Sequence, residues 1–197
     1  RPTKPGGRWR WVLYDTDIGM GLHAKKAYRN NSLAFHTRPD GPSWPNPPWS
    51  TFLLRNLLEN ESFENEFLLR FCDHMNTVFQ PDHMKTELNQ LIELYDPEID
   101  RHLIRWKLRA SRRHTHLDRM FEFIEKRPPY MRRFLKERFE LEDEVSLVLR
   151  QGPGGQILLN DHLSVRSARF SGRYFGNMTL SFEALPYFGH QFDHWEL

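Results

Sequence analysis

The chain has 197 residues, enough for one large domain or a domain with a small appendage. Its 28 lysines and arginines nearly balance 26 acidic residues and are dispersed among them, which argues against a nucleic-acid binder, whose positive charge gathers on one face. No stretch approaches the roughly 18 consecutive apolar residues of a membrane-spanning helix, and an aromatic content of 14% argues for a packed core rather than disorder.

The sequence starts at Arg1 rather than at a methionine, so it reads as a processed product or a piece of something longer. Trp9, Trp11 and Leu13 alternate with Arg8, Arg10 and Val12, the period of a strand with one buried face. That strand runs into Tyr14-Asp15-Thr16-Asp17-Ile18-Gly19-Met20-Gly21, where two acids and two glycines predict a turn that needs backbone freedom. An Asp-x-Asp at a strand end suits a hard cation, because Mg²⁺ needs only one or two carboxylates beside its waters and substrate phosphates. An Asx turn or a helix cap explains the same residues, and spacing alone leaves both readings open.

Pro39, Pro42, Pro45, Pro47 and Pro48 predict a loop over 39–50, with Trp44 and Trp49 pinning it to the body. From Ser50 to about Phe139 the pattern is helical. Leu53, Leu54, Leu57 and Leu58 share a face, and Phe63, Phe67, Phe71 and Met75 follow in steps of four up to Pro81. Leu88, Leu91, Ile92 and Tyr95 make a stripe ended by Pro97, and Ile99, Leu103, Trp106 and Ala110 make another. Leu117, Phe121 and Ile124 precede a break at Pro128-Pro129, and Met131, Phe134 and Leu135 finish a bundle of five or six helices.

After Glu142 the texture changes. Val145, Leu147 and Leu149 alternate as a strand, Gly152–Gly155 turns the chain, and Ile157–Leu159, Met178–Phe182 and His190–Trp195 read as further strands. A β module of this size buries little surface alone and is expected to pack on the helices.

Other chemistry is sparse. Cys72 lies in an apolar helical stripe and is expected to be a buried, inert thiol. On a helix His114 and Asp118 would share a face and His116 would point elsewhere, short of the three or four ligands of a zinc site, so these residues read instead as a helix start with Thr115 capping toward Asp118. His102 fits a structural histidine, and Asp161-His162 fits a turn between strands. There is no Gly-x-Ser-x-Gly elbow, and the Gly152–Gly155 run lacks the Lys-Ser/Thr of a phosphate loop.

A further signal lies in the order of several pieces. Arg10-Trp11-Val12-Leu13-Tyr14-Asp15-Thr16-Asp17 is followed by Phe52-Leu53-Leu54-Arg55-Asn56-Leu57-Leu58-Glu59-Asn60, then Phe63-Glu64-Asn65-Glu66-Phe67 and Arg70-Phe71. Met75-Asn76-Thr77-Val78-Phe79, Pro97-Glu98-Ile99, His102, Arg105-Trp106, Arg127 and Phe134-Leu135 continue it. Over about residues 9–140 this resembles the CotH (spore coat protein H) kinase-like family, whose Tyr-Asp-x-Asp ends a strand. The resemblance implies an α+β fold. Residues 1–141 would be the C-lobe-like part of an atypical protein kinase, a short strand and acidic loop followed by a helical bundle. Residues 142–197 would be the small antiparallel β module.

It further implies ATP with Mg²⁺ or Mn²⁺ as cofactor and Asp15 and Asp17 as its metal and nucleotide ligands. The activity would be phosphorylation of serines on partner proteins, in a secreted, cell-surface or spore-coat setting. A nucleotide-binding lysine, a glycine-rich lobe and a catalytic aspartate with its asparagine are expected upstream of Asp15. They are not among these residues, so the segment alone is expected to be inactive, with no catalytic residue of its own. Gly172-Arg173-Tyr174-Phe175, Ala184-Leu185-Pro186 and Gly189-His190-Gln191-Phe192 with Trp195 resemble small repeats of bacterial surface proteins, where Tyr174, Phe175, Phe192 and Trp195 would be core. The alternative is a non-catalytic coat or surface scaffold whose tryptophan-bearing loop and β tail bind a protein partner or a glycan. The oligomeric state is left open.

Overall fold

The structure, a computed structural model, describes residues 12, 14–17, 19–41 and 46–196. It is α+β. A single 3-10 turn (Ala27–Arg29) and two short helices, α1 (Ser32–Thr37) and α2 (Phe52–Leu57), lead into α3 (Glu61–Asn76), α4 (Pro81–Trp106) and α5 (Ala110–Phe139). The strands β1 (Glu144–Arg150), β2 (Gly155–Leu159), β3 (Leu163–Val165), β4 (Arg169–Phe175) and β5 (Phe182–Pro186) follow. They form an antiparallel ribbon β1–β4 and a three-stranded sheet in the order β3–β2–β5. No helix among the described residues is long and apolar enough to cross a membrane.

Local chemistry starts the helices where the sequence marks them. The Asn31 and Asn60 side chains accept from Ala34 N (2.9 Å) and Phe63 N (3.0 Å), capping α1 and α3. Pro81 sits in the first turn of α4, where its missing N–H is not needed. Lys107, in the left-handed region at φ 52°, ends α4 and turns the chain into α5. The two long helices run antiparallel, with Lys85 paired to Glu125 and Arg113 to Asp96 at 2.5 Å.

The expected helix breaks do not occur. Pro97 lies inside α4, and Pro128 and Pro129 lie inside α5. Each removes one backbone donor and costs about 3 kcal/mol in isolation. At Pro97 the helix is exposed, so water can serve the stranded carbonyl. At Pro128-Pro129 the preceding Arg127 is tied by three hydrogen bonds to residues 28–32, and Phe134 and Leu135 follow in the core. Tertiary packing overrides the local preference.

Helices and strands share one core. Leu68, Cys72 and Met75 of α3 and Phe134 and Leu135 of α5 pack with Ile157, Leu159, Val165, Tyr174 and Phe175. The tail thus packs on the helices, as its size requires. Within α3 the buried stripe is Leu68, Cys72 and Met75, with Phe67 and Phe71 at its margin. Helix α4 buries only Leu88, so its predicted stripe of Leu91 and Tyr95 faces solvent.

Several other expectations are corrected. Trp49 is 79% exposed and pins nothing. Trp44 lies outside the described residues. The proline loop is held instead by buried Asn46, whose Nδ2 donates to Phe35 O at 2.7 Å and whose Oδ1 accepts from Ser50 Oγ at 3.1 Å. Residues 190–196 form no strand, and Phe192 and Trp195 are 42% and 46% exposed, whereas Tyr174 and Phe175 are buried. The strand expected at Met178–Phe182 begins only at Phe182. His114, Thr115 and His116 lie within α5, where Thr115 Oγ1 donates back to Ser111 O (3.0 Å) instead of capping.

Cys72 is fully buried, and its thiol is pushed up to about 12 by desolvation. Alkylation of Cys72 at pH 8 should therefore run at least about a hundredfold slower in the native chain than in urea. Mass-spectrometric counting of labelled chains over time checks this.

Candidate functional site

Trp9, Trp11 and Leu13 of the predicted opening strand lie outside the described residues. Val12 and Tyr14, which are described, are exposed and belong to no strand. The acidic segment itself is a run of turns. Asp15 adopts φ 56° and Met20 φ 54°, both left-handed, and Gly21 follows at φ 81°. Gly19 N donates to Thr16 O (3.0 Å) and Leu22 N to Gly19 O (3.2 Å). Aspartate tolerates the left-handed region better than most residues, which makes Asp15 a suitable hinge for the turn.

Helix α5 holds this loop in place through two side chains one turn apart. Gly21 lies against Phe123, and a Cβ at Gly21 would sit 2.8 Å from Phe123 Cδ2, so both its φ and its neighbour demand glycine. Arg127 donates to Tyr28 O (2.8 Å), Asn30 O (2.7 Å) and Ser32 Oγ (2.7 Å), fastening the segment that follows the loop. Burial lowers the Arg127 pKa from its ordinary value, and the two carbonyls and the hydroxyl take up the guanidinium's donors. His23 Nε2 and Asn30 Nδ2, 3.2 Å apart, close the loop at its far side. Arg127 is prominent in sequence only as one ordered piece of a resemblance. Its place one turn after Phe123 on an amphipathic helix was the available local signal.

A side-chain hydrogen bond with Asp17, and next the charge of Asp17, raise the pKa of Asp15 above the ordinary carboxylate value. Both side chains are exposed. Two exposed carboxylates two residues apart on one turn are a donor set of the kind a hard divalent cation takes. Among the described residues no group of three or more His, Cys, Asp or Glu side chains could hold a metal. Exposed as they are, Asp15 and Asp17 leave room for waters or phosphate oxygens as a cation's other ligands. His114, His116 and Asp118 form no such group.

The family model described as CotH kinase protein matches residues 2–131, well over half the chain. The chain belongs to the CotH kinase family. No curated protein and no solved structure matches it. The CotH match takes in the acidic loop, α1 to α4 and most of α5, including Phe123 and Arg127. It stops before β1, so the likeness of the tail to surface repeat modules has no support from the comparisons.

Buried polar groups join the CotH-matched helices to the strands, and none was singled out from sequence as a site. Asp73 of α3 accepts from Tyr174 Oη (2.5 Å) and from Asn160 Nδ2 (3.1 and 3.0 Å). His162 Nε2 lies 2.9 Å from Asp73 Oδ2 but is not aligned for a hydrogen bond. The Asp161-His162 turn is present as expected, with Asn160 and Asp161 both left-handed. Its histidine faces the helices.

Proposed function

We propose that this chain is the metal-gripping C-terminal part of a protein-serine kinase that acts on partner proteins with ATP and Mg²⁺ or Mn²⁺. The observation that carries the reading is the Asp15–Asp17 pair at the left-handed turn, set within a chain of the CotH kinase family. Asp15 and Asp17 would hold the cation, which when bound supplies neutralisation of the phosphate charge. The protein's own part is positional. Phe123 and Arg127 hold the chain on either side of residues 22–27, and the left-handed backbone of Asp15 turns the acidic segment that would present both carboxylates. A secreted, cell-surface or spore-coat location, with coat or surface proteins as substrates, belongs to the same proposal.

The lysine and catalytic aspartate that the reading requires are not among these 197 residues, so this polypeptide by itself should show no phosphotransfer. A polypeptide extended at its amino end to include them should be stabilised by Mg²⁺-ATP. At a hundredfold excess over the dissociation constant, ligand adds about 2.7 kcal/mol, a rise of several degrees in melting temperature. Asp15→Asn and Asp17→Asn, which keep residues at ease in a left-handed turn, should each lose most of that rise while melting normally without ligand. Equal rises in all three proteins would remove the pair from the mechanism.

The pH dependence has a definite sign. The raised pKa of Asp15 means that a proton competes for the pair up to a higher pH than for an ordinary carboxylate. Metal-dependent stabilisation should therefore grow as pH rises through the titration of Asp15. In Asp17→Asn, which removes the charge that raises Asp15, the midpoint of that growth should move to lower pH.

A further inference from the structure

The strands outside the matched region build a second charged site. Arg150 ends β1 and Arg169 begins β4, and the two are direct partners across the antiparallel ribbon. Side chains of such partners leave the same face from adjacent points, an arrangement of like charges that costs stability unless an anion lies between them. Among the described residues no acidic side chain lies within ion-pair distance of either arginine, whereas Arg173, on the same face of the ribbon, is paired with Glu144.

Both arginines line a cleft of about 830 Å³ between the ribbon, the β2–β5 edge and residues 190–196. Its two acids, Asp193 and Glu196, are directed at His194, at 2.9 and 3.2 Å. The arginines stand together on the ribbon side of the cleft, and the two acids stand on the side formed by residues 193–196.

The site is held from several sides. Gln151 N donates to Ala168 O (3.1 Å), and its Nε2 donates to Val165 O (2.8 Å) and Ser167 O (2.9 Å), fixing the strand ends from which the arginines project. His190 is set over the β1–β2 turn so closely that a Cβ on Gly154 would meet its Nδ1 at 2.6 Å. Tyr187 N donates to Gly154 O (2.9 Å), His190 N donates to Tyr187 O (2.9 Å), and Gly189 at φ 83° makes the turn between them. Phe192 and Trp195 line one side of the cleft, their rings tilted against each other with centroids 5.2 Å apart.

We propose that this cleft binds a phosphate monoester, its dianion held in the fork of Arg150 and Arg169. Paired guanidiniums match a tetrahedral oxyanion geometrically as well as in charge. The cleft is much larger than one phosphate, so the ester carries a further group, and the aromatic wall admits either of two sources, a phosphorylated serine on a polypeptide or a nucleotide. The site lies outside the acidic loop and does not depend on the kinase reading.

Isothermal titration of the chain at low ionic strength tests this with three probes: a short phosphoserine peptide, its unphosphorylated twin, and adenosine monophosphate. At least one phosphorylated probe should bind and the unphosphorylated peptide should not, and the phosphorylated probe that binds identifies the source. Arg150→Gln and Arg169→Gln should each weaken binding about tenfold to a hundredfold. Arg150→Lys should fall between, because it keeps the charge and loses the fork. Arg173→Gln, on the same face of the ribbon but paired with Glu144 outside the cleft, should bind as the unaltered chain does. Unchanged near-ultraviolet circular dichroism identifies variants that have kept their fold, and the exposed positions of both arginines make that the expected result. Failure of both phosphorylated probes to bind, or unweakened binding by folded Arg150→Gln and Arg169→Gln, overturns the proposal.

Discussion

Asp73→Ala should destabilise the chain by about 3–5 kcal/mol, a large share of the stability of an ordinary domain. Asp73 is 2% exposed on α3, yet it makes no contact typical of a surface acid. It accepts the Tyr174 hydroxyl at 2.5 Å and both short approaches of the Asn160 amide, and His162 stands 2.9 Å away. Alanine would strand the Tyr174 hydroxyl and the Asn160 amide, both buried, and each unsatisfied donor costs about 1–3 kcal/mol. The Tyr174 hydroxyl remains a donor throughout, because burial first and the bond to Asp73 second push its pKa well above the usual phenol range. Tyr174→Phe removes one donor and leaves the carboxylate its amide partner, so it should cost only about 1–2 kcal/mol.

Urea unfolding of both single variants and the double variant checks this as a cycle. The double variant should be less destabilised than the sum, by about 1 kcal/mol, because the two groups share one bond. Helical and tertiary signals should also melt together, since α3 and the strands share one core. A cost under about 1 kcal/mol for Asp73→Ala would show that the cluster contributes little beyond packing.

That cluster was invisible in the sequence for a physical reason. Asp73 and Asn76 look like ordinary polar positions on an amphipathic helix, and their partners are about a hundred residues away. What was legible is what local chemistry decides: the helical period of α3, a turn at the acidic segment, and the buried thiol among apolar neighbours. Elements failed to show where distant packing overrode local cost, as at Pro128-Pro129. Strand β4 escaped notice because Gly172 interrupts it, and Gly172 is required by something outside the strand. A Cβ there would come within 2.9 Å of the Asn76 side chain. Phe192 and Trp195 mislead in the opposite sense. Their spacing mimics a strand, but they line a cleft instead of a core. Of the candidate site, the acids were legible and their supports were not. Gly21 reads as a turn residue, whereas its need to clear Phe123 is a tertiary fact.

Asn76→Ala is the second substitution with a large expected effect, about 3 kcal/mol, and it acts on backbone that no mutation can remove. In the ribbon, Arg173 pairs with Ser146 of β1, but the Arg173 N–H and C=O point the other way, toward α3. There Asn76 answers both, with Oδ1 accepting from Arg173 N and Nδ2 donating to Arg173 O, each at 3.0 Å. The side-chain amide thus continues the ladder as a neighbouring strand would, and it blocks an edge that would otherwise be open to pairing. Arg132, mostly buried on α5, adds Nη2 to Asn76 Oδ1 (2.8 Å) and Nη1 to Arg173 O (3.1 Å), with Glu144 3.5 Å from its guanidinium. Alanine at 76 would leave the Arg173 N–H without its partner and Arg132 short of an acceptor. Arg132→Met, by contrast, leaves every Asn76–Arg173 bond in place and keeps the apolar stem, so it should cost less, about 1–2 kcal/mol. Hydrogen exchange separates the two cases. In Asn76→Ala the amide of Arg173 should lose most of its protection relative to those of β2, whereas in Arg132→Met it should keep it. If both variants expose that amide equally, the arginine and not the asparagine is the group that closes the strand edge.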